Sequence, residues 1–262
     1  SRGLGDVYKR QVSTVYRIGG VQAIASLAYG TESVRNVDLI CGPGNLLVTL
    51  AKKAVFGDVG IDGLYGPTET VLLADDSANP VLCAADLIAQ AEHDQRAIPI
   101  LITSSESLAD EVEEQINIRL PKAERKDIAK GSMDSNGIIS IVETDAEAIA
   151  LVNEFAPEHL CILSENAGHI LPSIKNAGMI FIGEYSHEVL GDYGAGPSHV
   201  MPTGGTAKFN AGLGVHTFLK PVPVVSIPRE TALSIIDDVS EIVREEGLTA
   251  HAEAAEVRRE FE

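Results

Sequence analysis

The sequence predicts an α/β protein with open, mainly parallel sheets and flanking helices, followed by a small helical C-terminal segment. Three observations carry this. Short apolar runs alternate with longer amphipathic stretches over most of the chain. Glycine is frequent, at 24 residues, and falls at the joints between those runs. The stretch Arg229 to Glu246 places Leu233, Ile236, Val239, Ile242 and Val243 on one helical face.

The elements follow in order. Gly19 to Gly30 reads as a short helix stopped by Gly30. Val37 to Cys41 is a buried strand, Gly42-Pro43-Gly44-Asn45 a tight turn, and Leu46 to Val55 a helix. That order resembles a nucleotide-binding βα turn, but Leu47 stands where the third glycine of G-x-G-x-x-G belongs, so the turn alone reads as structural. Thr70 to Ala74 is a strand. Asn79 is a good N-cap and Pro80 suits the first position of a helix running to His93. Ile98 to Thr103 is a strand, Ser107 to Leu120 a helix, and Pro121 to Gly131 an exposed polar connection. Gly137 to Val142 is a strand and Asp145 to Phe155 a helix. Leu160 to Leu163 and Gly178 to Gly183 are strands around a helix near Ile170 to Lys175. Tyr185 to Gly214 is long, rich in Gly and Pro and without period, the character of a binding loop. Beyond a linker with Pro221, Pro223 and Pro228, Gly247 stops the amphipathic helix, and Thr249 caps a last helix carrying His251 in its first turn.

The 262 residues, 45% of them hydrophobic, suffice for one large domain or two modest ones. A net charge of −18 repels phosphate backbones and anionic membranes, which argues against nucleic acid or a membrane as partner. Cys41, Cys83 and Cys161 are scattered, odd in number and set among apolar residues. They read as reduced, packed thiols of a cytoplasmic protein, with no disulfide frame and no thiolate zinc site. No stretch reads as a signal peptide or as a membrane span.

Four stretches combine a histidine with polar neighbours. In Gln90-Ala91-Glu92-His93, residues three apart share a helix face, so Gln90 and His93 can point at one spot. Taken alone, the tetrad is better explained as an ordinary helix end. In Ala156-Pro157-Glu158-His159 the adjacent side chains point in different directions and can serve two proton transfers, with His159 as a base near neutral pH and Glu158 activating water. A histidine at a helix C-terminus explains the tetrad equally well. Asp192 and His199 lie in the Gly-Pro loop, where an Asx-turn and a surface histidine are the plain alternative. His251 belongs to Leu248-Thr249-Ala250-His251. Gln90, His93, Asp192 and His251 together would form an N/O metal set without thiolate, suited to holding a substrate.

The run Ile61 to Thr70, with Gln90-Ala91-Glu92-His93, resembles the signature of histidinol dehydrogenases. So do Glu154-Phe155-Ala156-Pro157-Glu158-His159-Leu160, the stretch Gly191 to Gly205, and Glu246-Gly247-Leu248-Thr249-Ala250-His251-Ala252-Glu253. The likeness runs from about Val12 to the end. It implies NAD-dependent oxidation of L-histidinol to L-histidine through a bound aldehyde, with zinc anchoring the substrate's imidazole and amine. Gln90, His93, Asp192 and His251 are then the zinc ligands, His159 the base for both oxidations and Glu158 the residue that activates water. Thr68, His199 and Glu246 fall at substrate-contacting positions, and Gln22 and Asn45 at NAD contacts. The resemblance also implies a homodimer in which His251 completes the partner's site.

The division expected from this is an off-pattern segment 1–11 of foreign or mis-joined residues, a partial NAD-binding Rossmann-like domain at 12–66, a catalytic α/β domain at 67–213 and a C-terminal helical dimerisation segment at 214–262. Family members are far longer at the N-terminus. The chain is therefore expected to be a truncated form, poorly active or unstable alone, since missing strands expose edges and apolar faces. Two other functions are open: a related zinc- and NAD-dependent dehydrogenase of another polyol, such as a sulfonated propanediol, and an inactive metal-binding fragment. Glu246 and Thr68 favour histidinol, whereas an anion-binding arginine in the pocket would favour the sulfonate.

Overall fold

A computed structural model describes residues 12–261; the off-pattern segment 1–11 lies outside them. The chain opens with α1 (Gly20–Tyr29), β1 (Leu39–Ile40), α2 (Leu46–Val55) and β2 (Gly60–Ile61). There follow β3 (Glu69–Ala74), α3 (Pro80–Ala91), β4 (Ile98–Thr103), α4 (Glu106–Arg119), α5 (Lys126–Asn136), β5 (Ile138–Ile141) and α6 (Asp145–Phe155). Then come β6 (His159–Leu163), α7 (Ala167–Ile170), β7 (Met179–Ile182), α8 (Glu188–Leu190), α9 (Arg229–Glu245) and α10 (Thr249–Glu256). Two compact units meet in sequence between Phe218 and Leu219.

Both sheets are parallel throughout. One is the pair β1-β2; the other has the order β5-β4-β3-β6-β7. From β3 the chain winds outward through β4 and β5, then returns to the other side of β3 for β6 and β7. The strand β3 is buried on both faces and so reads as a continuous apolar run. Its alternate residues serve opposite layers. Leu72 and Ala74 pack with Cys83 and Leu87 of α3 and Leu108 and Val112 of α4. Val71 and Leu73 pack with Ala148 and Val152 of α6 and with Ile170. A fully buried Leu or Val in these layers contributes about 1.5–3 kcal/mol.

Local capping chemistry fixes several boundaries. Asn79 Oδ1 accepts the Val81 N–H with Pro80 at the first turn. Ser105 and Thr144 cap α4 and α6 in the same way. Gly30 ends α1 with φ +78°, a value suited to glycine.

Several expectations need correction. The exposed connection placed at Pro121 to Gly131 is largely α5, where Ala129 and Ser132 are buried and Ser132 Oγ donates to the Ala97 carbonyl at 2.9 Å. Small residues at helical spacing pack closely without a strong apolar stripe, which hid the helix. The helix near Ile170 to Lys175 ends at Ile170 and tightens into a 3₁₀ turn over Leu171–Ser173. The helix expected to reach His93 stops at Ala91, so His93 occupies the following turn. The strand placed at Val37 to Cys41 contracts to Leu39–Ile40, and its short partner β2 was not foreseen. The Tyr185 to Gly214 loop carries α8, a π-helical turn at Gly191–Ala195 and a 3₁₀ turn at Thr206–Lys208. Thr249 begins α10 rather than capping it; Leu248 holds the cap position. Cys83 and Cys161 are buried free thiols, but Cys41 is only half-buried.

In the unit from Leu219, Arg244 grips both carboxylate oxygens of Glu256 at 2.9 and 2.8 Å, joining α9 to α10. Among the described residues, no helix is long and apolar enough to cross a membrane.

Candidate active site

The segments around Thr68, Gln90 to His93, Glu158-His159 and Asp192 to His199 line one cavity of about 770 Å³. Thr68, Gln90, His93, Glu158, His159, Asp192 and His199 all face it. Glu246 and His251 are exposed residues of the second unit, at the end of α9 and in the first turn of α10. Gln22 is exposed on α1, and Asn45 caps α2 by accepting the Val48 N–H at 3.1 Å. Neither lines the cavity, although Pro43 and Gly44 of the adjoining turn do.

The cavity has two walls of opposite polarity. Thr68 and His159 sit at the amino ends of β3 and β6, and His93 just past the C-terminus of α3. Ligands in open α/β sheets usually bind at the carboxyl ends of strands. Here the helices α3 and α6 instead bring their C-termini to the site, and a helix C-terminus favours cations. On the other wall, the turn Gly42–Asn45 follows β1 at its carboxyl end and leads into the N-terminus of α2, which favours anions.

His159 is held by its ring. Its Nδ1 donates to the Glu69 carbonyl at 3.1 Å, which leaves Nε2 toward the cavity. Nε2 stands 3.7 Å from Asp192 Oδ1, too far for a hydrogen bond, and neither atom has another partner. Burial works against the imidazolium, but the Asp192 side chain and the charges of Glu188 and Glu158 outweigh it and lift the pKa to about 9. The Phe181 ring stacks against His159 with centroids 6.0 Å apart. Gly191 permits this: a Cβ there would meet Phe181 Cε1 at 2.3 Å. The glycine therefore lets the π-helical turn bring Asp192 down beside the histidine.

Glu158 and His159 do not diverge as a strand pair would. Glu158 lies outside β6, in the bend after Ala156, whose φ of +55° reverses the chain at the end of α6. Glu158 Oε2 consequently lies 3.6 Å from His159 Nδ1. It accepts from Thr68 Oγ1 at 2.7 Å and from the Glu69 N–H at 3.2 Å. Burial raises its pKa, partly offset by His159 and the Thr68 hydroxyl. Gly178 makes the bend possible, because a Cβ there would sit 2.6 Å from the Glu158 carbonyl oxygen. Gly178→Ala is expected to displace Glu158 and destabilise the fold by about 1–3 kcal/mol, read as a lower midpoint in urea.

With its nitrogen toward Thr70 Oγ1 (3.1 Å) and Glu188 Oε1 (3.2 Å), the buried Gln90 amide turns its oxygen to the Glu69 N–H (3.0 Å), and that oxygen then competes with Glu158 Oε2 for the single Thr68 hydroxyl proton. Two acids that the sequence reading passed over stand behind this layer. Glu188 receives the Thr70 hydroxyl, and Glu69 Oε1 accepts the Gly204 N–H at 2.8 Å while Oε2 has no partner. Burial pushes both carboxyls up to about 7. Glu69 had one signal, an acid opening an apolar strand; Glu188, inside the Gly-Pro loop, had none.

These groups set a pH dependence. Glu69, Glu188 and His159 all bind protons more tightly folded than unfolded. The unfolded chain therefore carries fewer protons at the two carboxyls between about pH 4.5 and 7 and at His159 between about pH 6.5 and 9, and across pH 4.5 to 9 stability falls at these sites as pH rises. The metal-free chain is expected to melt at progressively lower temperature across that window; a rising midpoint would contradict this.

Among the described residues, no three His, Cys, Asp or Glu side chains form a ready cation site. Yet Gln90, His93 and Asp192 line one cavity, Asp192 Oδ1 is orphaned, and the surrounding wall is negative. These N/O donors fit a borderline ion such as zinc.

A sequence profile described as histidinol dehydrogenase matches residues 6–259. The chain belongs to the histidinol dehydrogenase family. It is 50% identical over 251 residues to the histidinol dehydrogenase of Halalkalibacterium halodurans, covering 96% of this chain and 59% of that protein. It is 48% identical over 257 residues to that of Dehalococcoides mccartyi, covering 98% and 59%. The crystal structure of histidinol dehydrogenase from Elizabethkingia anophelis superposes with a TM-score of 0.90 at 34% identity, over 97% of this chain and 58% of that one. A probable aldehyde dehydrogenase from Listeria monocytogenes shares the fold alone, with a TM-score of 0.50 at 11% identity over 78% of this chain and 60% of that one. The chain thus spans under two thirds of the length of these relatives.

Proposed function

We propose that this chain carries the catalytic centre for NAD-dependent oxidation of L-histidinol to L-histidine, the last steps of histidine biosynthesis. The observation that carries this is the convergence of Thr68, Gln90, His93, Glu158, His159, Asp192 and His199 on one cavity. Gln90, His93 and Asp192 would hold zinc, with His251 supplied by a second copy of the chain in a homodimer. Zinc held there would supply an anchor for the substrate's imidazole and amine, and bound NAD would supply the hydride acceptor.

The chain's own residues do the rest. His159, with Nδ1 tied to the Glu69 carbonyl, offers Nε2 to the carbinol proton in both oxidations. Glu158 takes a proton from the water that hydrates the aldehyde, held in place by Thr68 and the Glu69 N–H. Thr68, His199 and Glu246 contact substrate; Gln22 and Asn45 contact NAD. Fixing the imidazole turns each step into a matter of orientation.

One observation favours a rival substrate: Arg125 lines the cavity and could meet a sulfonate. Glu92, Glu158, Glu188 and Asp192 line it too, so the cavity as a whole suits a cationic amino alcohol. The test is NADH formation by the chain extended to the length of its relatives, before and after chelation, with L-histidinol and with a sulfonated propanediol. Chelator-sensitive turnover of histidinol supports the reading. Preference for the sulfonate overturns the substrate, and zinc binding without turnover overturns the enzyme.

A further inference from the structure

Outside the carboxylate layer lies a buried ion pair with no role in the chemistry above. Lys52 on α2 and Asp62 after β2 pair with side chains 2% and 0% exposed. Both hold the backbone of a single residue. Asp62 Oδ2 accepts the Gly42 N–H at 2.7 Å, and Lys52 Nζ donates to the Gly42 carbonyl at 3.0 Å. Lys52 Nζ also lies 4.7 Å from the centre of the Tyr65 ring, and Thr49 Oγ1 donates to the Tyr65 carbonyl at 2.8 Å.

The turn held this way is conformationally demanding. Gly42 has φ +116°, a region that side chains rarely adopt, and a Cβ on Gly44 would meet Val48 Cγ1 at 2.5 Å. Pro43, Gly44 and Tyr65 line the same cavity as His159. A buried ion pair rarely gains stability over well-packed apolar side chains. What this pair does is fix one backbone geometry and one ring position at a ligand-facing surface.

We propose that Lys52 and Asp62 are positioning residues for the dinucleotide. Their ion pair clamps the Gly42–Asn45 turn and the Tyr65 ring into the surface that receives the anionic part of NAD. The inference rests on the NAD-dependent reading above and extends it to residues that the cofactor does not touch.

The experiment measures NAD affinity, histidinol KM, kcat at saturating NAD and zinc content on the extended, zinc-loaded chain. The double variant Lys52→Met with Asp62→Asn leaves no unpaired buried charge and keeps an acceptor for the Gly42 N–H. It is expected to weaken NAD binding about tenfold or more, with kcat at saturating NAD and histidinol KM within about twofold and zinc unchanged. A folded double variant with unchanged NAD affinity overturns the proposal, and so does equal loss of NAD and histidinol binding. Thr49→Val, nearly isosteric and leaving the ion pair intact, guards against a double variant that fails to fold. It should weaken NAD alone by about threefold, and no change there overturns the clamp. Absence of NAD binding by the unsubstituted chain would overturn the underlying reading, and the clamp with it, whereas the other failures leave that reading standing.

Discussion

His159→Asn in the extended chain is expected to lower kcat for histidinol oxidation by roughly two to four orders of magnitude, with KM changed by less than about threefold. The variant is chosen for its geometry. An asparagine amide can still donate to the Glu69 carbonyl that now holds Nδ1, so the start of β6 stays in place. What disappears is the basic nitrogen facing the cavity. In the metal-free chain the neighbouring carboxylates favour the protonated imidazole, and a base that must first shed its proton gives a rate that climbs with pH in the unsubstituted enzyme. This limb of the profile should vanish in the variant. A loss in kcat below about tenfold, or an unchanged limb, would remove His159 from the role of base.

Glu158→Gln should separate the two oxidations. Glutamine keeps an oxygen for the Thr68 hydroxyl and the Glu69 N–H, so the side chain stays where it is. It cannot take a proton from water. The first hydride transfer should persist, while the second slows by roughly a hundredfold or more. Under single-turnover conditions, NADH formed per histidinol should drop from about two toward one, with aldehyde trapped by a hydrazine. Equal slowing of both steps would mean that Glu158 serves orientation or metal binding instead.

Much of the fold was legible because its signals are local. Continuous apolar runs marked β3, β4 and β6, and Asn79-Pro80 marked the start of α3. The helix α5 was not legible, since Ala129 and Ser132 pack by being small, which leaves no apolar period to read. The π-helical turn at Gly191–Ala195 was equally invisible, because a Gly-rich stretch reads as a loop until Phe181 is seen against Gly191. In the site, motif residues could be gathered from four stretches, but their order in depth could not. No spacing reveals that Glu69 and Glu188 stand behind Thr68 and Gln90, or that Lys52 and Asp62 meet across Gly42. Those are contacts between elements, set by how helices and loops pack against each sheet.

The cavity lining, anion-favouring at the N-terminus of α2 and cation-favouring beside His159, imposes a direction on whatever enters. A rod-shaped molecule with phosphates at one end and a neutral or positive ring at the other has a single favourable way to lie: charged groups on α2, ring toward His159. Reversing it would place anions among Glu158, Glu188 and Asp192. Compounds negative at both ends should therefore be poor competitors, and a short zwitterion should outcompete either of its halves.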